Sequence, residues 1–303
     1  MAREFNLLVI LGPTASGKTQ AGVRVARVLN GEIISADSRQ VYRGMDLGTG
    51  KDLKEYGEVP HYLIDVVAPG YEFSVFEFQR RFVSAFLDIQ GRGKLPLLVG
   101  GTGLYLEAVL KGYRLAEVPP NPKLRSELER LSLGELAERL KASQPSLHNT
   151  TDLRRRERVI RAIEIAQFKG DSSSQPPLPD LSPMVFGIRW PREVLRQRIT
   201  RRLRERINQG MLEEIRRLRE AGVSIETLDF YGLEYRYGAM YLQGLLNKND
   251  LFQKLNSAIH QFAKRQETWF RRMERKGTPI HWVAGDRDPA GKILEMLKSQ
   301  LAQ

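Results

Sequence analysis

The stretch that most restricts how this chain can fold is residues 7–19, LLVILGPTASGKT. Leu7 to Leu11 is an unbroken apolar run, which suits a strand buried on both faces of a parallel sheet. It leads directly into Gly12, Pro13, Thr14, Ala15, Ser16, Gly17, Lys18 and Thr19, which fill every fixed position of the phosphate-loop pattern G-x-x-x-x-G-K-[ST]. The pattern has physical content. Glycines let the backbone curl until its N–H groups converge on phosphate oxygens. The following helix adds the positive end of its dipole. Lys18 brings a point charge, and the Thr19 hydroxyl can ligate Mg²⁺. Val23, Ala26, Val28 and Leu29 give the next stretch an amphipathic helical pattern. A strand before the loop and a helix after it disfavour a chance Gly/Ser turn. The sequence therefore predicts an α/β fold with a site for a di- or triphosphate, and the loop alone leaves open whether that group belongs to a nucleotide.

Charge adds a second constraint. Lys and Arg number 48 against 36 Asp and Glu, a net of +12. Residues 1–110 hold 12 of each sign, so the whole excess lies in the rest of the chain. A segregated basic surface points to a polyanion, nucleic acid ahead of an anionic membrane, with solvated arginine-rich helix faces as the bland alternative. The 303 residues have room for an α/β core and one further domain. The absence of cysteine excludes disulfides and thiolate metal sites and fits a cytoplasmic location. No apolar run approaches the roughly 18 residues of a membrane span, and the N-terminal MAREFNLLVI reads as too short for a signal peptide. His61, His148, His260 and His281 lack metal-ligand spacing.

Along the chain, Glu32 to Ser35 predicts a strand with Asp37 and Ser38 just past its end. Parallel sheets bind ligands at that edge, although an Asx-turn aspartate looks the same in sequence. Val41 to Lys51 is a glycine-rich loop. Tyr62 to Val67 predicts a third strand, and its Asp65 is the one, poorly matched, candidate for a strand-borne Mg²⁺ carboxylate. Phe73 to Gln90 predicts a helix with Phe78, Phe82, Phe86 and Ile89 on one face. Leu95 to Val99 is another buried strand, followed by a glycine turn at 100–103 and a helix over Leu104 to Leu110. Residues 119–169 read as helical and charged, with Asp152 a plausible N-cap, and residues 171–183 as a Pro/Ser linker. Strand character returns at Val185 to Trp190. This predicts a helical insertion, residues 115–183, in a core built from 1–114 and 184–303. The next helix carries Leu195, Ile199, Leu203, Ile207 and Met211 at a spacing of four. Arg198 and Arg202 lie one turn apart on its flank, able to clamp a diphosphate or nucleic acid. A last long helix, Leu251 to Lys276, shows an apolar stripe of Phe252, Leu255, Ile259, Phe262, Trp269 and Met273 and is strongly basic.

Taken together, GPTASGKT at 12–19, SADSRQVYRGMDLGTGK at 35–51, LLVGGTGLYL at 97–106, RAIEI at 161–165, GLEYR at 232–236 and AKRQETWFRR at 263–272 resemble the tRNA dimethylallyltransferases, also called isopentenyl-diphosphate:tRNA transferases. The likeness holds in order and spacing over nearly the whole chain, and the later blocks are far more specific than the loop. It implies a P-loop NTPase-like parallel sheet core with an inserted helical domain that contacts tRNA. It implies transfer of a dimethylallyl group from dimethylallyl diphosphate to the exocyclic N6 amine of the adenosine 3′-adjacent to the anticodon, with Mg²⁺ assisting and the phosphate loop holding the diphosphate. By resemblance the general base falls on Asp37 and the diphosphate-contacting arginine on Arg202, with Lys18 and Thr19 contributing from the loop. Contacts to the tRNA fall on Asp37, Ser38, Arg39, Gln40 and Thr102, and on Arg158, Arg161, Lys264 and Arg265 in the basic segments that would grip the anticodon stem-loop. The chemistry agrees. A leaving diphosphate needs charge stabilisation, and a carboxylate suffices as base when proton loss follows C–N bond formation. A hairpin loop presents an unstacked base more easily than a duplex. A monomer acting in the cytoplasm is expected.

Two departures stand out. The block from Thr150 to Arg158 is longer than the family's Asn-Asp-x-Arg-Arg, and the family's G-Y-[KR]-[EQ] turn is here Gly232-Leu-Glu-Tyr-Arg236. The rival readings are an enzyme that prenylates free adenine nucleotides, with less need of a basic C-terminal helix, an ATP-dependent P-loop kinase, which needs a better carboxylate than Asp65, and an RNA-binding module with a vestigial loop.

Overall fold

The computed structural model describes residues 5–143, 153, 156–168 and 178–301. Two compact units emerge, Met1–Tyr113 with Leu178–Gln303, and Arg114–Pro177. The larger unit carries six strands: β1 (Leu7–Leu11), β2 (Gly31–Ala36), β3 (His61–Tyr62), β4 (Leu95–Gly100), β5 (Pro183–Arg189) and β6 (His281–Ala284). All pair in parallel, in the order β3-β2-β4-β1-β5-β6. Parallel neighbours need crossovers. These come from α1 (Lys18–Leu29), α2 (Val75–Gly91), α3 (Gly103–Leu110) and the smaller unit's helices α4 (Pro122–Leu128), α5 (Leu133–Ser143) and α6 (Arg156–Gln167). The larger unit continues with α7 (Arg192–Asn208), α8 (Met211–Glu220), α9 (Ile225–Tyr231), α10 (Leu233–Leu242), α11 (Lys248–Arg275) and α12 (Pro289–Leu301).

Strand alternation divides the core between the two faces of the sheet. Leu7, Val9 and Leu11 pack into one cluster with Phe78, Phe82, Phe86 and Ile89 of α2. Leu8 and Ile10 pack into the other with Val23, Val25 and Ala26 of α1 and Ile293 and Leu297 of α12. The aromatic face expected on α2 is thus the buried one, and Ser74 caps that helix by accepting from the Glu77 N–H at 3.1 Å. On α1 the buried set is shifted: Val28 is 58% exposed and Val25 takes its place.

Three other expectations change. The third strand is two residues long because Leu63 and Asp65 take left-handed φ values of 64° and 56°, which end the extended run. The long basic helix begins at Lys248, with Asn247 accepting from the Asp250 N–H at 2.9 Å. Its buried face is Leu251, Leu255, Ile259, Ala263, Gln266, Phe270 and Met273, while Phe262 is 39% exposed. Beyond that helix, where no element is expected from the sequence, β6 completes the sheet edge and α12 packs on one face.

In the smaller unit, Leu128, Leu136, Leu140, Val159, Ile160 and Ile163 form a separate core. Its polar keystone is Glu164. That carboxylate accepts from the Asn121 N–H at 2.8 Å, from Arg125 at 2.8 and 3.0 Å and from Arg161 at 3.0 Å. The N-cap assigned to Asp152 and the linker residues 171–177 lie outside the described residues.

Candidate active site

The strand register builds the site. Leu11 pairs with Gly100, and Gly100 with Ala36, so β1, β2 and β4 end level with one another. Three connections therefore leave the sheet side by side: the phosphate loop, the Asp37–Gln40 turn and the Gly101–Gly103 turn. Thr102 joins two of them. Its N–H donates to the Ala36 carbonyl at 3.1 Å and its hydroxyl accepts from the Ser38 N–H at 3.0 Å. Asp37 Oδ1 accepts from the Arg39 N–H at 2.9 Å, an Asx turn that orients the carboxylate at the strand end.

The loop itself takes left-handed φ at Ala15 (61°) and Gly17 (84°), which turn its backbone back on itself before α1 starts at Lys18. It is pinned from outside by other elements. Gln266 Oε1 accepts from the Thr14 N–H at 2.8 Å, Arg198 Nε donates to the Ala15 carbonyl at 2.8 Å, and Trp190 Nε1 donates to the Ser16 carbonyl at 2.9 Å. The carbonyls are thus bound from outside by side-chain donors. Lys18 Nζ bonds the Pro13 carbonyl at 3.3 Å. Burial pushes the Lys18 ammonium down to about 8; Asp37 opposes this shift, and Arg202 and Arg206 reinforce it. Asp37, Lys18 and the α7 arginines therefore share one electrostatic field.

Those arginines, Arg198, Arg202 and Arg206, recur at every fourth position along α7. Arg198 stacks on Trp190 with 4.2 Å to the ring centroid. Arg202 bonds Asp52 and lies 3.4 Å from the Gly50 carbonyl. Arg206 is 8% exposed, and its Nη2 sits 3.7 Å from Asp52. The sequence pattern points to Arg198 and Arg202 alone. Continuing the same spacing by one turn finds the third.

Other expected residues are placed differently. Gln40 is buried and spends its amide on folding, accepting from Ser35 Oγ at 2.9 Å and donating to the Gly50 carbonyl at 3.1 Å. Arg39 lies over the Phe230 ring at 5.3 Å. Lys264 and Arg265 are exposed on α11. In the smaller unit Arg158 is exposed, whereas Arg161 also donates to the Val118 carbonyl at 2.6 Å and is engaged in that unit's fold. Asp65 bonds the buried Lys51 ammonium, which also holds Asp46 Oδ1 and the Tyr42 carbonyl, each at 2.7 Å. Its carboxylate is thus part of a loop-folding ion pair.

For Mg²⁺, the described residues contain no cluster of three or more His, Cys, Asp or Glu side chains suited to a metal. The oxygens present are those of the loop. Thr19 stands in the first turn of α1, and Ser16 Oγ is buried with no hydrogen-bond partner. This donor set fits a cation held mainly by diphosphate oxygens and water, which is how Mg²⁺ commonly binds.

Comparison with known proteins agrees with this geometry. Residues 40–273 match the IPP transferase family, and residues 5–60 match the Isopentenyl transferase family. The tRNA dimethylallyltransferase 1 of Geotalea uraniireducens is 66% identical over 293 residues, covering 97% of each chain. The tRNA dimethylallyltransferase 2 of Syntrophotalea carbinolica is 62% identical over 97% of this chain and 99% of its own. Among solved structures, the full-length tRNA isopentenylpyrophosphate transferase of Bacillus halodurans superposes with a TM-score of 0.71 at 34% identity, covering 98% of this chain and 96% of that one. With its phosphate loop, strand-end aspartate and helix-borne arginines in one site, the chain belongs to the IPP transferase family, alongside the tRNA dimethylallyltransferases that it matches over nearly their whole length.

Proposed function

We propose that this chain transfers the dimethylallyl group of dimethylallyl diphosphate to the N6 amine of the adenosine 3′-adjacent to the anticodon in tRNA, giving N6-isopentenyladenosine in the cytoplasm. The observation that carries the reading is the placement of Asp37 and Lys18, a carboxylate just after β2 and a phosphate-loop cation just after β1, at strand ends brought level by their shared neighbour β4. The loop N–H groups, Lys18 and Arg202 bind the diphosphate and stabilise the charge that gathers on it as the C1–O bond breaks. The N6 lone pair forms the new bond to C1, the C1–O electron pair leaves with the diphosphate, and the Asp37 carboxylate takes the N6 proton. Thr19 and Ser16 would hold Mg²⁺, which when bound adds charge stabilisation for the leaving diphosphate. Ser38, Arg39 and Thr102 line the same edge as Asp37 and contact the target base and its neighbours, while Gln40 holds their loop. Lys264 and Arg265 of α11, and Arg158 of the smaller unit, meet backbone phosphates of the anticodon stem-loop.

The exposed basic residues of α11 and the tRNA-modifying relatives support tRNA over a free adenine nucleotide as acceptor. The engagement of Asp65 by Lys51 argues against an ATP-dependent kinase, for which it was the one candidate carboxylate. The deciding experiment mixes protein, Mg²⁺ and labelled dimethylallyl diphosphate with an anticodon stem-loop RNA, with AMP and ATP as parallel acceptors and Asp37→Ala as control. Label in RNA alone, lost in the variant, is the expected result. Label in AMP would reassign the acceptor, and ATP hydrolysis without label transfer would overturn the reading.

A further inference from the structure

We infer that Arg206 is a third cationic contact for the diphosphate, beside Lys18 and Arg202, and that Asp52 holds both guanidiniums until the diphosphate displaces it. The inference rests on the reading above that the phosphate loop takes a diphosphate.

Arg206 is costly as it stands. A guanidinium that is 8% exposed loses most of its hydration, and such charges are kept only when paired and hydrogen-bonded. Yet Nη2 is buried with no hydrogen-bond partner, and Asp52 Oδ2, at 3.7 Å, is beyond bonding distance. The same Asp52 oxygen bonds Arg202. One carboxylate therefore serves two guanidiniums and satisfies one of them. An oxyanion with more charge and more oxygens would satisfy both, and paired arginine forks match phosphate oxygens in geometry.

The backbone is shaped to let the two guanidiniums meet. At Gly50, where φ is +64°, a Cβ would lie 1.6 Å from Arg206 Nη2 and 2.8 Å from Arg202 Nη2. Both groups converge on the strip of backbone immediately before Asp52. They also reach the phosphate loop electrostatically, since Arg202 and Arg206 both act on Lys18. Asp52 itself is the more movable partner: its side chain is 37% exposed, and it precedes a single 3-10 turn, Leu53–Glu55.

The test is calorimetric binding of inorganic pyrophosphate with Mg²⁺, beside the KM for dimethylallyl diphosphate and the Tm, in the full chain. Arg206→Met should weaken pyrophosphate about tenfold or more and raise the KM, with Arg206→Lys recovering part of the loss. Asp52→Asn removes the competing anion and should tighten pyrophosphate severalfold. A merely structural Asp52–arginine tether would give the opposite sign. Should Arg206→Met fail to fold, Arg206→Lys and Asp52→Asn carry the same test. Lys18→Ala separates the two levels of the argument. Weakening by Lys18→Ala while the Arg206 variants stay within about twofold of the parent, or weaker binding in Asp52→Asn, would overturn the inference and leave the diphosphate reading standing. No weakening in any variant would overturn both.

Discussion

Gln266 stands 252 positions from Thr14, yet its Oε1 accepts from the Thr14 N–H at 2.8 Å while its Nε2 donates to the Gly101 carbonyl at 2.8 Å. One buried amide on α11 thereby fixes the phosphate loop against the glycine turn after β4. Gln266→Leu would leave both backbone groups buried and unmet, and a loss of about 3 kcal/mol in denaturant unfolding is expected. Gln266→Glu separates structure from field. It keeps the acceptor for Thr14, loses the donor to Gly101 and adds negative charge beside the loop. A KM for dimethylallyl diphosphate raised about tenfold, with a smaller stability loss than in Gln266→Leu, is the expected result. An unchanged KM would refute the field argument.

The Lys18 ammonium, pushed down to about 8 by burial, sets two pH slopes of opposite sign. The protonated form binds diphosphate, whose own last ionisation, near 6 for a phosphate monoester, is complete by then. Affinity for dimethylallyl diphosphate should therefore fall as pH rises above about 8. Folding stability should move the other way. The unfolded chain holds this proton up to the ordinary value of 10.5, so between about 8 and 10.5 it binds more protons than the folded state. The Lys18 contribution to stability therefore rises with pH over that range. Lys18→Arg should extend the binding plateau to higher pH. A plateau in the parent that continues to pH 10 would show that the Lys18 charge does not govern binding.

The parts of the site that the sequence revealed are those where one residue type at one spacing has one physical use. The phosphate loop follows an apolar strand, and Phe78, Phe82 and Phe86 mark the buried side of α2 because they recur at every fourth position. The rest was hidden for identifiable reasons. On α11 the bulk of Phe262 suggests an apolar stripe through that position, but the residue that meets the loop is Gln266, whose amide makes a twin hydrogen bond. Asp65 ends no strand because two left-handed residues lie inside YLIDVV, and a backbone twist at Leu63 leaves no mark in composition. Strand β6 has four residues, two of them partly exposed, too short for any periodicity to register.

Glu214 leaves no mark in the sequence either, because three of its four hydrogen-bond donors are backbone N–H groups. Its buried carboxylate accepts from the N–H groups of Asp46 and Leu47, both at 2.8 Å, of Gly48 at 3.0 Å, and from the Tyr235 hydroxyl at 2.8 Å. Glu214→Gln would turn one acceptor oxygen into an N–H₂ group facing donors. A stability loss of about 3 kcal/mol is expected, against about 1 kcal/mol for Tyr235→Phe. Because residues 46–48 lead straight to Gly50 and Asp52, kcat/KM should fall with it. A Glu214→Gln protein of parental Tm would show that the loop is held by other contacts.

Lys264 and Arg265 provide the test of the RNA-facing side. Both are exposed on α11. If each neutralises one phosphate of the anticodon stem-loop, each alanine variant should weaken binding and lower the slope of log affinity against log salt by about 0.7 to 0.9. Turnover at saturating RNA should be retained, since neither residue acts on the prenyl group. Arg161→Ala is the internal contrast. That guanidinium holds Glu164 at 3.0 Å and the Val118 carbonyl at 2.6 Å, so its removal should appear in Tm and leave the salt slope in place. Filter binding across a salt series, with the Tm of each protein, distinguishes the two classes. A parental slope in both Lys264→Ala and Arg265→Ala would move the RNA-binding surface away from this part of α11.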